Sequence, residues 1–143
     1  MQDFGFCGSM YQWPKIFVYE DVPKTLEYLA ANYVLGVATN ANDSGAGAVR
    51  KALDRGGIGK FIGPIYSSGE VGFQKPQPEF FGHILKDLGL QEEAVCMVGD
   101  SFVNDVVPAL GIQSFWLNRR GEEIRQGHGY TTIKSLDELM KHF

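Results

Sequence analysis

Short apolar runs that end in polar residues, separated by stretches of helical periodicity, constrain this chain more than any other feature of its sequence. Ala94-Val95-Cys96-Met97-Val98 has no charged or amide member and runs directly into Gly99-Asp100. A strand that is apolar at every position has both faces covered, the mark of a parallel strand between two helical layers. Val34-Leu35-Gly36-Val37-Ala38, which ends in Thr39-Asn40, reads the same way, and Pro64-Ile65-Tyr66-Ser67-Ser68 and Ser114-Phe115-Trp116-Leu117 are further strands.

The segments between them are amphipathic. Asp21 is placed to cap a helix that opens at Val22-Pro23, with Val22, Leu26, Leu29, Ala30 and Tyr33 as its apolar stripe. A second helix is expected over Ala46 to Leu53, stopping at Gly56-Gly57. The next, from Pro78, presents Phe81, Ile84, Leu85 and Leu88 before Gly89 ends it. Val103 to Leu110 reads as a short helix closed by Gly111, and Ser135-Leu136-Asp137-Glu138 is a capping box that opens the last one. Strands alternating with helices imply right-handed crossovers. The expected fold class is therefore α/β, a three-layer α/β/α Rossmann-like parallel sheet with its ligand site beyond the carboxyl ends of the strands. At 143 residues the chain is expected to be a single domain, 1–143.

Composition removes several function classes. Hydrophobic residues at 44% and charged residues at 21% place the chain among globular proteins. The net charge of −4, with basic residues scattered rather than clustered, argues against a nucleic-acid partner. No apolar run approaches membrane length, and Met1-Gln2-Asp3 does not open a signal peptide. Cys7 and Cys96 make neither a disulfide framework nor a zinc site, so a cytoplasmic, reducing compartment is the expectation. His83, His128 and His142 lack ligand spacing, and Tyr11, Trp13 and Trp116 read as packing or as a subunit contact in a homodimer.

The polar residues at the strand ends carry the chemistry. Asp100 and Asp105 are two carboxylates at one strand end and its following turn, the hard oxygen ligands that magnesium prefers. Lys75 is a compact cation suited to a phosphate oxygen or to a neighbouring carboxylate. Thr39 offers a hydroxyl and a backbone N–H near a helix start, where anions bind.

Three runs, Leu35-Gly36-Val37-Ala38-Thr39-Asn40, Lys75-Pro76-Gln77-Pro78-Glu79-Phe80-Phe81 and Val98-Gly99-Asp100-Ser101-Phe102-Val103-Asn104-Asp105, resemble the second, third and fourth motifs of the haloacid dehalogenase superfamily of hydrolases, in the family's order. The resemblance covers nearly the whole chain from about Ile16 onward. It implies that Thr39 and Asn40 bind the transferring phosphoryl group, that Lys75 stabilises its charge, and that Asp100 and Asp105 hold or orient Mg2+.

The family's first motif, Asp-x-Asp-Gly-Thr, supplies the nucleophile and the general acid and base. The nearest match here is Gly5-Phe6-Cys7-Gly8-Ser9-Met10, with Gly5 at the nucleophile position and Cys7 at the acid/base position. Nothing at Gly5 can form a covalent intermediate, and Cys7 has no evident activating partner in sequence. Residues 1–13 are then either a degenerate first motif or a replacement for one lost upstream together with a cap. The stretch from Tyr11 to Glu20 is too short for a helical cap, so the resemblance implies a capless core, open or closed by a neighbouring subunit. Two functional readings follow: a phosphomonoester phosphatase acting on a phosphorylated small molecule or phosphoprotein, inactive or crippled as this chain, or a non-catalytic pseudoenzyme that keeps an anion or metal pocket for binding or assembly. The resemblance also implies that residues 1–6 form the central strand between those ending at Thr39 and Gly99, or that a second copy fills that place.

Overall fold

The computed structural model describes residues 12, 15–42, 44–106, 111–121 and 129–143. Gly5 and Cys7, the nearest match to the first motif, and with them the expected central strand at 1–6, lie outside the described residues.

Helix α1 spans Asp21–Ala30. Its first turn differs from the sequence expectation. Glu20 takes the capping position without a side-chain bond, and Asp21 is the first helical residue. The Asp21 carboxylate instead accepts from Arg119 at 3.0 Å and from the Leu136 N–H at 2.6 Å, tying α1 to two distant parts of the chain. Leu29 is buried on the expected stripe, but Tyr33 falls beyond the helix and is half exposed.

Strand β1 is Val37–Thr39 and β2 is Ile65–Ser67, paired in parallel with Thr39 opposite Ser67. Between them lies α2, Ala46–Arg55, followed by a short 3-10 turn at Gly59–Phe61. Gly57, at φ 77°, turns the chain where only glycine does so without strain. Val34, expected to begin β1, is instead exposed and precedes it. Beyond β2, the single-turn helix α3 (Ser68–Val71) leads to α4, Pro78–Leu88, which opens on its proline and ends at Gly89 with φ 66°.

The second ladder is β3 (Cys96–Gly99), β4 (Gln113–Leu117) and β5 (Tyr130–Ile133), parallel throughout, with Gly99 opposite Trp116. Tyr130-Thr131-Thr132-Ile133 was not anticipated as a strand, although β-branched and aromatic residues make it a good one. Among the described residues no ladder joins β1 to β3.

Side-chain alternation along β3 defines the layers. Cys96 and Val98 join Leu29 of α1, Phe115, Ile133 and Leu139 in one core, whereas Val95 and Met97 join Phe81 and Leu85 of α4 with Ile112 in a second. Helical structure therefore covers both faces of this sheet, as the unbroken apolar run requires. The C-terminal segment, Leu136–Lys141, is a 3-10 turn rather than an α-helix, although its capping box forms between Ser135 and Glu138. Of the helix expected over Val103 to Leu110, the described part lies in Phe102–Val106, which winds as a π-helical turn, and residues 107–110 lie outside the described residues.

Candidate active site

The carboxyl ends of β1 and β3 are joined through one residue, Lys75. Lys75 sits in the loop between α3 and α4, and its Nζ donates to Asp105 Oδ1 at 2.5 Å. The Asp105 side chain is buried and that of Lys75 mostly so, 5% and 11% exposed, so water screens the pair less than it would at the surface. The other Asp105 oxygen accepts the Ser101 N–H at 3.1 Å, and the Asp105 N–H donates to the Ser101 carbonyl at 2.8 Å. Gly99 makes room for this carboxylate, because a Cβ there would overlap Asp105 Cγ and Oδ2.

Asp100 is held differently. Its backbone carbonyl accepts the indole N–H of the buried Trp116 at 3.2 Å, while the residue itself stays exposed. Phe102 packs edge-on against both Trp116 and Tyr130, at 5.1 and 5.2 Å between ring centres, which anchors the turn that follows β3. Trp116 thus supports the candidate metal turn from β4.

On the β1 side, Asn40 follows Thr39 immediately. Its amide accepts from the Lys75 N–H at 2.8 Å and donates to the Lys75 carbonyl at 2.9 Å. The Ser67 hydroxyl, at the end of β2, lies 2.8 Å from the Ala41 carbonyl and 2.5 Å from that of Ser44. Ser68 donates to the Asn42 side chain. The helix that follows Thr39 in sequence is α2, and the N–H of its first residue, Ala46, is already taken by Glu70 Oε1 at 2.8 Å.

Four of the residues expected from sequence, Thr39, Asn40, Lys75 and Asp105, are linked by adjacency or direct bonds, and Asp100 begins the turn that holds Asp105. Sequence reasoning missed Ser67, Ser68, Ser101, Trp116 and Glu70. The Ser67-Ser68 pair carried a usable signal, since it is the polar end of a strand like Thr39-Asn40. The Trp116 bond to Asp100 spans two strands and had none.

One carboxylate of the expected pair, Asp100, is exposed and available to a cation such as magnesium. Magnesium is commonly held by one or two carboxylates with water and substrate phosphate completing its shell. The Asp105 carboxylate, by contrast, is buried with both oxygens engaged, by Lys75 and by the Ser101 N–H. Among the described residues no group of three or more His, Cys, Asp or Glu side chains converges as a metal cage. His83 and His142 instead pack edge-on to Tyr66 and Phe115. Burial pushes the Cys96 thiol up to about 11, so it stays protonated in the core.

A family model described as haloacid dehalogenase-like hydrolase matches residues 7–111. The chain belongs to this family. Among curated proteins, this haloacid dehalogenase-like chain is 30% identical over 131 residues to a glyceraldehyde 3-phosphate phosphatase of Methanocaldococcus jannaschii, covering 88% of this chain and 58% of that one. Among solved structures, a HAD phosphatase from Thermococcus onnurineus is 33% identical with a TM-score of 0.76, covering 87% of this chain and 57% of that one. A Bacillus subtilis protein described as a HAD-hydrolase and solved bound to magnesium is 25% identical, with a TM-score of 0.71 over 83% of this chain and 52% of its own. The chain thus spans little more than half the length of these relatives. Its described elements are those of a HAD-like core, and among them no helix is long and apolar enough to cross a membrane.

Proposed function

We propose that this chain carries the phosphoryl-binding and magnesium-binding parts of a HAD-type phosphomonoester phosphatase, and that as this sequence it turns over at trace level. The observation that carries the reading is the buried Lys75–Asp105 pair at 2.5 Å, because it brings the third and fourth motifs together while Asn40 brings in the second. Lys75 has three donors. One is spent on Asp105, leaving the others for a phosphate oxygen presented beside the Thr39 hydroxyl. Asp105 orients Lys75 and the Ser101 backbone, and Asp100 offers its exposed carboxylate to the cation. Magnesium, when bound, would neutralise phosphate charge and polarise phosphorus toward attack.

With residues 1–13 taken as a degenerate first motif, the limit on turnover comes from Gly5, which has no carboxylate with which to attack phosphorus, and from Cys7, which stands where a general acid belongs. The same two residues favour the second reading, a non-catalytic module that binds an anion and a metal. The relatives named as glyceraldehyde 3-phosphate phosphatase and phosphoserine phosphatase support a small phosphorylated metabolite as the ligand.

The test is a pair of measurements on the purified protein. Orthophosphate should bind in the presence of magnesium, as read by calorimetry, and hydrolysis of an aryl phosphate should not exceed a trace. Vigorous turnover that Asp100→Asn abolishes would overturn the crippled reading. Absence of any orthophosphate binding would overturn the site assignment itself.

A further inference from the structure

We infer that Asn40 is the positioning residue for Lys75, fixing its backbone so that its ammonium is presented to the phosphate site; this rests on the site reading above. One side-chain amide engages both polar groups of residue 75, taking the N–H at 2.8 Å and giving to the carbonyl at 2.9 Å. A single hydrogen bond leaves a peptide free to pivot about it, whereas a reciprocal pair sets both position and orientation. Lysine needs such help. Its charge sits at the end of a flexible four-carbon stem, so the ammonium is only as well placed as the backbone it starts from.

The anchor is itself held. Ser67 lies against the Ala41 and Ser44 carbonyls and Ser68 bonds Asn42, so the segment after Thr39 is pinned to the end of β2. Asn40 transmits that rigidity to the Lys75 loop. Because Thr39 and Asn40 are consecutive, the hydroxyl and the ammonium that flank the phosphoryl group share one mount. Ionised aspartate has no donor for the Lys75 carbonyl, and serine or threonine offers a single oxygen where Asn40 uses two separate atoms, Oδ1 and Nδ2, to reach the N–H and the carbonyl.

The experiment follows the Lys75 ammonium by heteronuclear NMR, with its resonance identified by loss in Lys75→Arg, alongside orthophosphate titration in magnesium. Asn40→Ala should broaden or abolish that resonance and weaken orthophosphate roughly tenfold, the loss of two hydrogen bonds. Val34→Ala, a change at an exposed residue that precedes the opposite end of β1, should preserve the resonance. If Asn40→Ala does not fold, Asn40→Asp, isosteric but lacking the donor, serves in its place. A Lys75 resonance unchanged in a folded Asn40 variant overturns the positioning role. Failure of the unaltered protein to bind orthophosphate sinks the functional reading separately, since the resonance is read without ligand.

Discussion

Lys75 Nζ and Asp105 Oδ1 stand 2.5 Å apart inside the protein, and each is what makes the other tolerable there. Removing the cation leaves a buried carboxylate without its partner, which typically costs about 3–5 kcal/mol. Lys75→Met should therefore lower stability by roughly that amount in urea unfolding. Adding Asp105→Asn should recover a large part of the loss, since the remaining pair is neutral. Additive losses in the double variant would show that the two side chains do not act as a unit.

Gly99 is where β3 meets this pair. Any Cβ at that position would overlap the Asp105 carboxylate, so Gly99→Ala should displace Asp105 from Lys75. The expected result is loss of orthophosphate binding together with a destabilisation of about 1–3 kcal/mol, the usual range for overpacking. Unchanged binding in Gly99→Ala would mean that the carboxylate has room to move without consequence.

Tyr66 donates to Asp87 Oδ2 at 2.5 Å, and burial together with the neighbouring carboxylate pushes its phenol from 10.0 up to about 12. A raised folded value means that the fold favours the protonated form. Its contribution to stability is complete below pH 10 and is lost as pH climbs from 10 toward 12. In Tyr66→Phe the decline in stability across that window should be smaller, and the last phase of the ultraviolet phenolate titration should disappear.

Asp21 responds at the other end of the pH scale. Burial alone would raise its carboxyl, but the Arg119 guanidinium and the Leu136 N–H outweigh it and hold the group below 3.8. That contribution is present above 3.8 and is lost as pH falls from there through the lower folded value. The stability advantage of the natural protein over Asp21→Asn, measured by denaturant unfolding, should shrink steadily over that acid range. A gap that stays constant with pH would show that the Arg119 contact contributes nothing through charge.

Much of the architecture was legible because burial on two faces leaves its mark in one dimension. The apolar run into Gly99, the helix from Pro78 to Gly89 and the stop at Gly56-Gly57 each follow from local rules, and each is observed. The departures have equally physical causes. Asp21 carries a good capping side chain, yet Arg119 and Leu136 compete for it, and neither is near in sequence. Phe102–Val106 has helical periodicity, but Asp105 must turn back to Ser101 and reach Lys75, and the backbone widens into a π-turn there. The Ser135 box formed as expected, but propensity alone did not extend its short turn into an α-helix.

The sequence by itself determined the fold class, the order of the motifs and the residue types available at the strand ends, since these depend on periodicity and on side-chain chemistry. Only the tertiary structure decided how those groups are used. It shows Asp105 spent on Lys75 and Ser101, Asp100 left exposed above the Trp116 bond, and the Asn40 amide spent on the Lys75 backbone. Those partners are separated by 16 residues for Trp116 and Asp100 and by 35 for Asn40 and Lys75, and hydrogen bonds over such spans are set by how strands are ordered in space, a quantity that no local pattern encodes.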